Sequence, residues 1–173
     1  MNIRVFPGLL GMEWAGKTDN AQIPGSLNSH LQAKFSPLFF ELVEKLGPEF
    51  CLYGEGFGGK IQNGTARYGV EQKFVLFDIK VGGWWLRRED VEEIAAQFSI
   101  PVVPELGKGT LEDAMIQVKT GLVFSRLSPH PLVTQAEGLV VTPLVELFAR
   151  NHSRIITKIK LKDFAHLKKE FLK

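Results

Sequence analysis

A glutamate between glycines is the first residue of this sequence whose setting suggests chemistry. In the stretch YGEGFGGKIQNG, Gly54, Gly56 and Gly59 fit the pattern GxGxxG, which in dinucleotide-binding proteins joins a strand to the start of a helix. The residues that follow lack a helical apolar period, so no helix start is expected to face a phosphate. Glu55, uncrowded between two glycines, could instead accept hydrogen bonds from a ligand hydroxyl or help to hold a metal. The alternative is a turn glutamate in water.

Two further side chains lie where a strand pattern would present them to a ligand. In FVLFDI, Phe77 comes directly before an acid on an apolar strand, and core packing is the alternative. In AEGLVVTP, Glu137 precedes a glycine and a buried apolar run. A carboxylate at the entrance of a strand is a common metal ligand, although a merely exposed side chain also fits this position.

A run of lysines near the end of the sequence follows the period of a strand. In IITKIKLK, a period of two places Lys158, Lys160 and Lys162 on one face and the uncharged residues on the other. Neighbouring lysines repel each other unless an anion lies between them, as in a phosphate-binding wall. A solvated basic edge is the alternative. From Arg150 to Lys173, eight basic residues against two acids give a local charge of +6, which suits a polyanionic partner.

The composition is that of one globular domain. The chain has 173 residues, of which 45% are apolar and 23% are charged, with a net charge of +2. The single cysteine, Cys51 in the apolar run FCLY, excludes an intrachain disulfide and is expected in the core. No run reaches transmembrane length and no signal peptide is recognisable, so we expect a cytoplasmic protein without a membrane partner.

Strands outnumber helices and are often consecutive, which predicts an α+β fold with largely antiparallel sheets. One helix is expected from Ser36, with Pro37 in its first turn, to just before Gly47. Thr110 and Asp113 fit a capping box that opens the later helix LEDAMIQVKTG. The other expected elements are strands at NIRVF, FCLYG, KFVLFDIKV, GGWWLRR, GLVVTP, ELFAR and RIITKIKLK, and helices at EDVEEIAAQF and from about Asp163.

Taken in order, four stretches resemble motifs of the covalent nucleotidyltransferase superfamily, most closely its ATP-dependent RNA ligase branch. YGEGFGGKIQNG is similar to motif III, FVLFDI to motif IIIa, EGLVV to motif IV, and the KIK of ITKIKLKDF to motif V. GKTDNAQIP resembles the segment that follows the active-site lysine in phage-type RNA ligases. The resemblance covers nearly the whole chain. It implies a single adenylation domain of the ligase type over residues 1–173, with flanking helices and a nucleotide pocket between its sheets.

The resemblance also implies a role for each candidate residue. Glu55 would contact the ribose of ATP, and Phe77 would stack on the adenine. Glu137 would help to bind the catalytic Mg²⁺ (or Mn²⁺). Lys158 and Lys160 would contact the α-phosphate and stabilise charge as pyrophosphate leaves. These roles agree with the chemistry of phosphoryl transfer, which depends on positioning and charge neutralisation.

The family reacts through a lysine that attacks the α-phosphate and carries AMP as lysyl-AMP. That lysine begins motif I, K-x-D-G, just before a short strand, whereas here the strand begins at Asn2 without a preceding K-x-D-G. The chain is therefore expected to be truncated relative to the family, to begin at an internal start, or to have lost the chemistry. Lys17, in KTDN, lies too close to Glu55 for a motif I lysine. We expect Lys17 to lie on the second strand and to face ATP or the nucleic-acid end, with a role as nucleophile only in reserve.

Functions of different classes follow from this pattern. The first is an enzyme that, when complete, joins 5′-phosphate and 3′-hydroxyl ends of RNA or nicked nucleic acid through lysyl-AMP and AMP-polynucleotide intermediates. The second is an inactive ATP- or RNA-binding module without the nucleophile. A third, a small structural protein with coincidental motifs, predicts no ATP binding.

Overall fold

The computed structural model of the chain describes residues 1–18, 20–61 and 65–164. The chain divides into two compact units, Met1–Pro104 and Glu105–Lys173. Each unit combines antiparallel strands with helices, which confirms the predicted α+β class. Among the helices of the described ranges, none is long and apolar enough to cross a membrane.

The first unit is built on one five-stranded antiparallel sheet. Its strands are β1 Asn2–Pro7, β2 Met12–Gly16, β3 Phe50–Phe57, β4 Lys73–Val81 and β5 Trp84–Trp85. Their order across the sheet is β2-β1-β3-β4-β5. The strands expected at NIRVF, FCLYG, KFVLFDIKV and GGWWLRR are therefore confirmed, and β3 lies at the centre of the sheet.

Helices cover one face of this sheet and share a single core with it. They are α1 Gly25–Phe35, α2 Phe39–Leu46 and α4 Arg88–Gln97. A four-residue helix, α3 Thr65–Tyr68, follows β3, and the ring of Tyr68 meets that of Phe57. Leu27, Leu31 and Phe35 follow one another every four residues along α1 and are fully buried. Phe35 meets Phe74 of β4 edge to face, with ring centroids 5.2 Å apart. The core therefore lies between this helical layer and the sheet.

The helix expected from Ser36 is wrong at its start and correct at its end. Residues Ser36–Leu38 form a 3₁₀ turn, and α2 begins at Phe39. Its end before Gly47 is confirmed, because Gly47 has a φ of 80° and donates its N–H to the carbonyl oxygen of Val43. Helix α1, which precedes the turn, was not predicted.

The face of the sheet opposite the core, here called the outer face, carries the side chains of Asn2, Arg4, Tyr53, Glu55 and Lys80, which alternate with buried residues along their strands. One register shift in the β3–β4 ladder determines what else it carries. Gly54 pairs with Leu76 and the preceding residue of β3 pairs with Asp78, so Phe77 has no residue opposite it. Leu76 and Ile79 are both fully buried although they are three residues apart, which an uninterrupted period of two would not allow. The extra residue therefore keeps both halves of β4 in the core.

The second unit contains a two-stranded antiparallel sheet, β6 Gly138–Val141 and β7 Thr157–Lys160, and the helix α5 Leu111–Thr120. The predicted capping box of α5 is confirmed. The N–H of Asp113 donates to Thr110 Oγ1 at 3.1 Å, and the N–H of Thr110 donates to Asp113 Oδ2 at 2.8 Å. Val118, Val123 and Ile159 form the small buried core of this unit.

Three expectations in the second unit need correction or lie beyond the structure. The stretch ELFAR forms no strand, since Phe148 makes only an isolated bridge with Arg154. The strand expected over RIITKIKLK is limited to β7, and Leu161–Phe164 form a 3₁₀ turn where a helix was expected to begin. The rest of that expected helix, at 165–173, lies outside the described residues.

Candidate functional site

The glycine-flanked glutamate lies on β3 with its carboxylate on the outer face. Glu55 is exposed, and Gly54 and Gly56 on either side of it are buried. A Cβ atom on Gly54 would overlap the ring of Phe74, and one on Gly56 would overlap the side chain of Leu27. The glycines therefore permit close packing on the core face. The expectation that they clear space for the carboxylate is wrong, since the strand itself turns Glu55 away from the core.

The loop after β3 is not that of a dinucleotide fingerprint. Gly58 has a φ of 86°, and a Cβ atom there would overlap the carbonyl oxygen of Glu71. A short helix, α3 Thr65–Tyr68, does occur in a segment that was expected to contain none. One turn of helix carries little of the dipole that makes a longer helix attractive to phosphate. Residues 62–64, which complete the quoted stretch, lie outside the described residues.

Asn2 is a polar neighbour of Glu55 that no sequence motif indicates. The two residues pair directly across β1 and β3, and both are exposed. The amino group of Met1 lies 3.4 Å from Glu55 Oε1 and donates to the carbonyl oxygen of Gly56 at 2.6 Å. A residue before Met1 would therefore enter beside Glu55. The alternation of β1, which buries Ile3, is the signal that would have placed Asn2 on the outer face.

Phe77 reaches the outer face through the register shift. It follows the fully buried Leu76, and its own ring is half-buried. Glu55 pairs with Val75, two residues before Phe77, so the two candidate residues are close neighbours on the sheet. Two residues span about 7 Å along a strand. The structure thus brings Glu55 and Phe77 together on one surface, and their contacts with a nucleotide stay a prediction.

Lys17 lies one residue beyond the end of β2 and not within the strand. Gly16, the last residue of β2, pairs with Ile3 of β1, and β1 separates β2 from β3. Continuing that register places the main chain of Lys17 about two strand spacings, or about 10 Å, from that of Glu55. The lysine side chain is exposed. Asp19, in the same KTDN stretch, lies outside the described residues.

The second unit carries its two candidate lysines on β7. Lys158 and Lys160 are exposed, whereas Ile159 between them is only 6% exposed and packs in the small core. The predicted strand faces are therefore confirmed for this pair. Lys162 lies in the 3₁₀ turn that follows, so it does not continue the same strand face. Two lysines, with Cα atoms about 7 Å apart, form the basic surface of this strand.

Glu137 lies at one end of the same two-stranded sheet. Its carbonyl oxygen accepts the N–H of Leu161 at 2.9 Å, and Gly138 directly after it pairs with Lys160. A Cβ atom on Gly138 would overlap the carbonyl oxygen of Ile159, so the glycine allows β7 to approach closely. The side chain of Glu137 is exposed. The structure thus brings Glu137 and Lys160 to one end of the two-stranded sheet.

A protein-only metal site is not found in the described part of the chain. Those residues contain no group of three or more His, Cys, Asp or Glu side chains that could hold a metal ion. Magnesium in nucleotide sites is commonly bound by one or two carboxylates together with phosphate oxygens and water. Glu137 offers one exposed carboxylate of this kind, and its binding of a metal stays a prediction.

Comparison with known families identifies the family of the chain. Residues 13–160 match the family model described as RNA ligase. This match covers most of the chain, and the chain belongs to the RNA ligase family. No curated protein matches the sequence.

Solved ligase structures share the fold. Naegleria gruberi RNA ligase with PPi gives a TM-score of 0.67 at 18% identity, covering 98% of this chain and 49% of that chain. A variant of the same enzyme with ATP and Mn gives 0.67 at 17% identity, covering 98% and 48%. An archaeal ATP-dependent RNA ligase gives 0.60 at 16% identity, covering 92% and 39%. The fold is that of ligase nucleotidyltransferase domains, and the chain spans about half or less of these ligases.

Proposed function

We propose that this chain is the nucleotide-binding part of an ATP-dependent RNA ligase. It binds ATP with Mg²⁺ (or Mn²⁺) and, when complete, joins 5′-phosphate and 3′-hydroxyl ends of RNA or nicked nucleic acid in the cytoplasm. The family match over residues 13–160 carries the proposal. The neighbouring positions of Glu55 and Phe77 on one sheet face support it. The ligase structures with ATP and Mn, and with PPi, support the choice of nucleotide and metal.

In the first unit, we assign the sugar and the base of ATP to two residues. The exposed carboxylate of Glu55 can accept hydrogen bonds from both ribose hydroxyls. The ring of Phe77, turned out of the core by the register shift, offers an aromatic face to adenine. Lys17, near the same end of the sheet, would face the phosphates of ATP or the nucleic-acid end.

In the second unit, we assign charge neutralisation to Lys158 and Lys160 and metal binding to Glu137. When an amine attacks the α-phosphorus, a nitrogen–phosphorus bond forms and the bond to pyrophosphate breaks. Negative charge then grows on the departing oxygen, and fixed ammonium groups stabilise it. A divalent metal supplies further charge neutralisation when it is bound. Ile159, buried between the lysines, holds their strand in place.

The nucleophile decides between the enzyme and the second candidate, an ATP- or RNA-binding module. Within the 173 residues, KTDN at Lys17–Asn20 is the stretch that comes nearest to K-x-D-G. A lysine before Met1 would enter beside Glu55, because the Met1 nitrogen is 3.4 Å from that carboxylate. Such a lysine would restore the enzyme, whereas the module would retain the nucleotide surface without forming lysyl-AMP.

Two measurements on the 173-residue chain test these assignments. Calorimetry with ATP and Mg²⁺ is expected to show binding, and an absence of binding heat would overturn the proposed function. Incubation with ATP labelled at the α-phosphate, followed by intact mass analysis, is expected to leave this chain unmodified. A version extended upstream through a K-x-D-G segment is expected to gain one AMP.

A substitution at Lys17 serves as the control for the labelling. If the 173-residue chain gains one AMP and Lys17→Arg abolishes the adduct, Lys17 is the nucleophile and the expected upstream lysine is wrong. If the extended version also stays unmodified while both chains bind ATP, the binding module is the correct function.

A further inference from the structure

An aromatic pair lies on the outer face beside the proposed nucleotide residues. The rings of Tyr53 and Trp85 have centroids 4.8 Å apart and are tilted by 50°. The Nζ atom of Lys80 lies 5.6 Å from the centroid of the Trp85 ring. All three side chains are half-buried, so each retains surface that a ligand can reach. The roles proposed above use none of them.

Strand pairing places this aromatic pair on the same face as Glu55. Tyr53 is two residues before Glu55 on β3, which puts its side chain about 7 Å along the same face. Lys80 of β4 pairs with Trp85 of β5, and directly opposed residues project to the same side of a sheet. Helices α1, α2 and α4 contribute their buried side chains to the core on the other side. The aromatic pair is therefore next to the proposed ribose contact without being part of it.

The charges around the pair differ from one edge to the other. Asp78 lies opposite Tyr53 on β4, so this side of the pair carries an acidic residue. Arg4 lies opposite Tyr53 on β1 and donates its Nε–H to the carbonyl oxygen of Gly16 at 3.1 Å. Lys80, beside Trp85, is the cation on the side away from Glu55. A phosphate is therefore best accommodated at the Lys80 edge.

Cys51 pairs with Lys80 at this edge, and its neutral thiol does not offset the positive charge of the lysine. It was expected in the core, but it alternates with the buried Phe50 and Leu52 and pairs with Lys80. Burial raises the pKa of the Cys51 thiol, so the group is neutral near pH 7. The positive charge of Lys80 is thus not offset by a thiolate.

We propose that Trp85, Tyr53 and Lys80 bind one nucleotide of a single-stranded RNA end, with the base against the aromatic pair and the phosphate at Lys80. Proteins commonly hold unpaired bases on aromatic faces next to cationic side chains. This inference rests on the proposed function, because RNA is taken as the nucleic acid that is brought to the ATP-binding face.

The test compares two adjacent tryptophans of one hairpin. Trp85→Ala removes the stacking surface, whereas Trp84→Ala removes a tryptophan that is 81% exposed and pairs with Val81 on the core side of the sheet. Binding of a fluorescein-labelled, 5′-phosphorylated oligouridylate is followed by anisotropy. Trp85→Ala is expected to weaken RNA binding roughly 5- to 150-fold, the range for loss of one stacked base. Trp84→Ala is expected to change it less than about twofold, since an exposed side chain off this face makes no such stack.

Folding and nucleotide binding are measured on the same proteins. Trp85→Phe, which keeps an aromatic face, is expected to recover most of the RNA affinity and guards against a simple loss of folding. ATP binding, measured by calorimetry, is expected to be unchanged in Trp85→Ala. Equal loss of RNA binding in both alanine variants, or no loss in Trp85→Ala, overturns the inference. A loss of ATP affinity in Trp85→Ala also overturns it, since Trp85 would then belong to the ATP site.

These outcomes separate this inference from the proposed function. A chain that binds RNA through Trp85 but gives no heat with ATP supports the aromatic site and contradicts the proposed function. A chain that binds ATP but not RNA contradicts the aromatic site alone.

Discussion

The two units differ in the size of the buried core beneath the sheet that carries their candidate residues. In the first, nineteen buried apolar side chains of the described residues form one core beneath the sheet that carries Glu55 and Phe77. In the second, the described residues contribute three such side chains beneath the sheet that carries Lys158 and Lys160. Of the exposed large apolar side chains among the described residues, fifteen lie in the second unit and five in the first. A two-stranded sheet is marginal by itself, so the lysine strand is expected to open at lower free energy than β3.

The largest expected effect comes from making the same truncation in both sheets. Ile79→Ala in β4 is expected to lower the free energy of unfolding by an amount near the top of the usual range of about 2–5 kcal/mol, because its surroundings are fully packed. Ile159→Ala in β7 is expected near the bottom of that range. Urea denaturation is followed by far-UV circular dichroism, which reports both units, and by the fluorescence of Trp14, Trp84 and Trp85, which all belong to the first unit. Equal shifts of the fluorescence midpoint in both variants would contradict the expected difference between the cores of the two units.

A second effect tests whether position on the strand, and not local charge, gives the lysines their role. Lys158→Ala is expected to weaken ATP binding about 10- to 100-fold, as for the loss of a hydrogen bond to a charged group. Lys162→Ala, which removes the same charge from the 3₁₀ turn beyond the strand, is expected to change it about twofold or less. Calorimetry with ATP and Mg²⁺ measures both. Similar losses in the two variants would indicate a diffuse basic surface instead of a defined contact.

A third effect is expected at the glycines of β3. Gly54→Ala inserts a methyl group against the Phe74 ring and is expected to destabilise the first unit by about 1–3 kcal/mol. Gly83→Ala in the β4–β5 turn has no atom within 4 Å of the added Cβ and is expected to stay within about 0.5 kcal/mol of the parent. Urea denaturation compares the two. A neutral Gly54→Ala would show that the core face of β3 can relax.

The smallest effect is a pH dependence confined to the first unit. His30 Nε2 accepts the N–H of Phe74 at 3.3 Å, and burial, followed by the charges of Lys34 and Lys73, lowers the pKa of His30 below its ordinary 6.5. Below pH 6.5 the unfolded chain therefore binds more protons than the folded chain, and stability falls as the pH drops towards the folded pKa. Comparison of urea midpoints at pH 7.5 and 5.5 is expected to show a larger decrease for the parent than for His30→Gln. The same decrease in both would exclude His30 as its source.

Elements with a strong local signal could be predicted from the sequence. The β4 range matches KFVLFDIKV, and the Thr110–Asp113 capping box forms as expected, because both depend on residues close in the chain. Helix α1 was missed because GSLNSHLQAKF is mostly polar and shows its buried face only once Leu27, Leu31 and Phe35 meet the sheet. The register shift at Phe77 could not be read from β4 alone, since it exists only relative to β3.

The candidate site also contains residues that a local pattern predicts and residues that depend on pairing between distant strands. The outward placement of Lys158 and Lys160 followed from a period of two along one strand. Asn2 and the Tyr53–Trp85 pair were missed because their proximity to Glu55 arises from pairing between strands far apart in the sequence. Gly54 and Gly56 were expected to leave space around Glu55. Glycine is required at both positions because a Cβ atom would overlap side chains on the opposite face of the sheet.

Because Phe77 is unpaired in the β3–β4 ladder, β4 combines residues that the core constrains with one residue that the core does not constrain. Leu76 and Ile79 are held by the core, so changes at either are judged by their effect on folding. Residue 77 has no partner across the ladder and does not contribute to that core. Its side chain can therefore diverge among descendants of this sequence while the fold persists, which makes it a place where ligand preference can evolve by single substitutions.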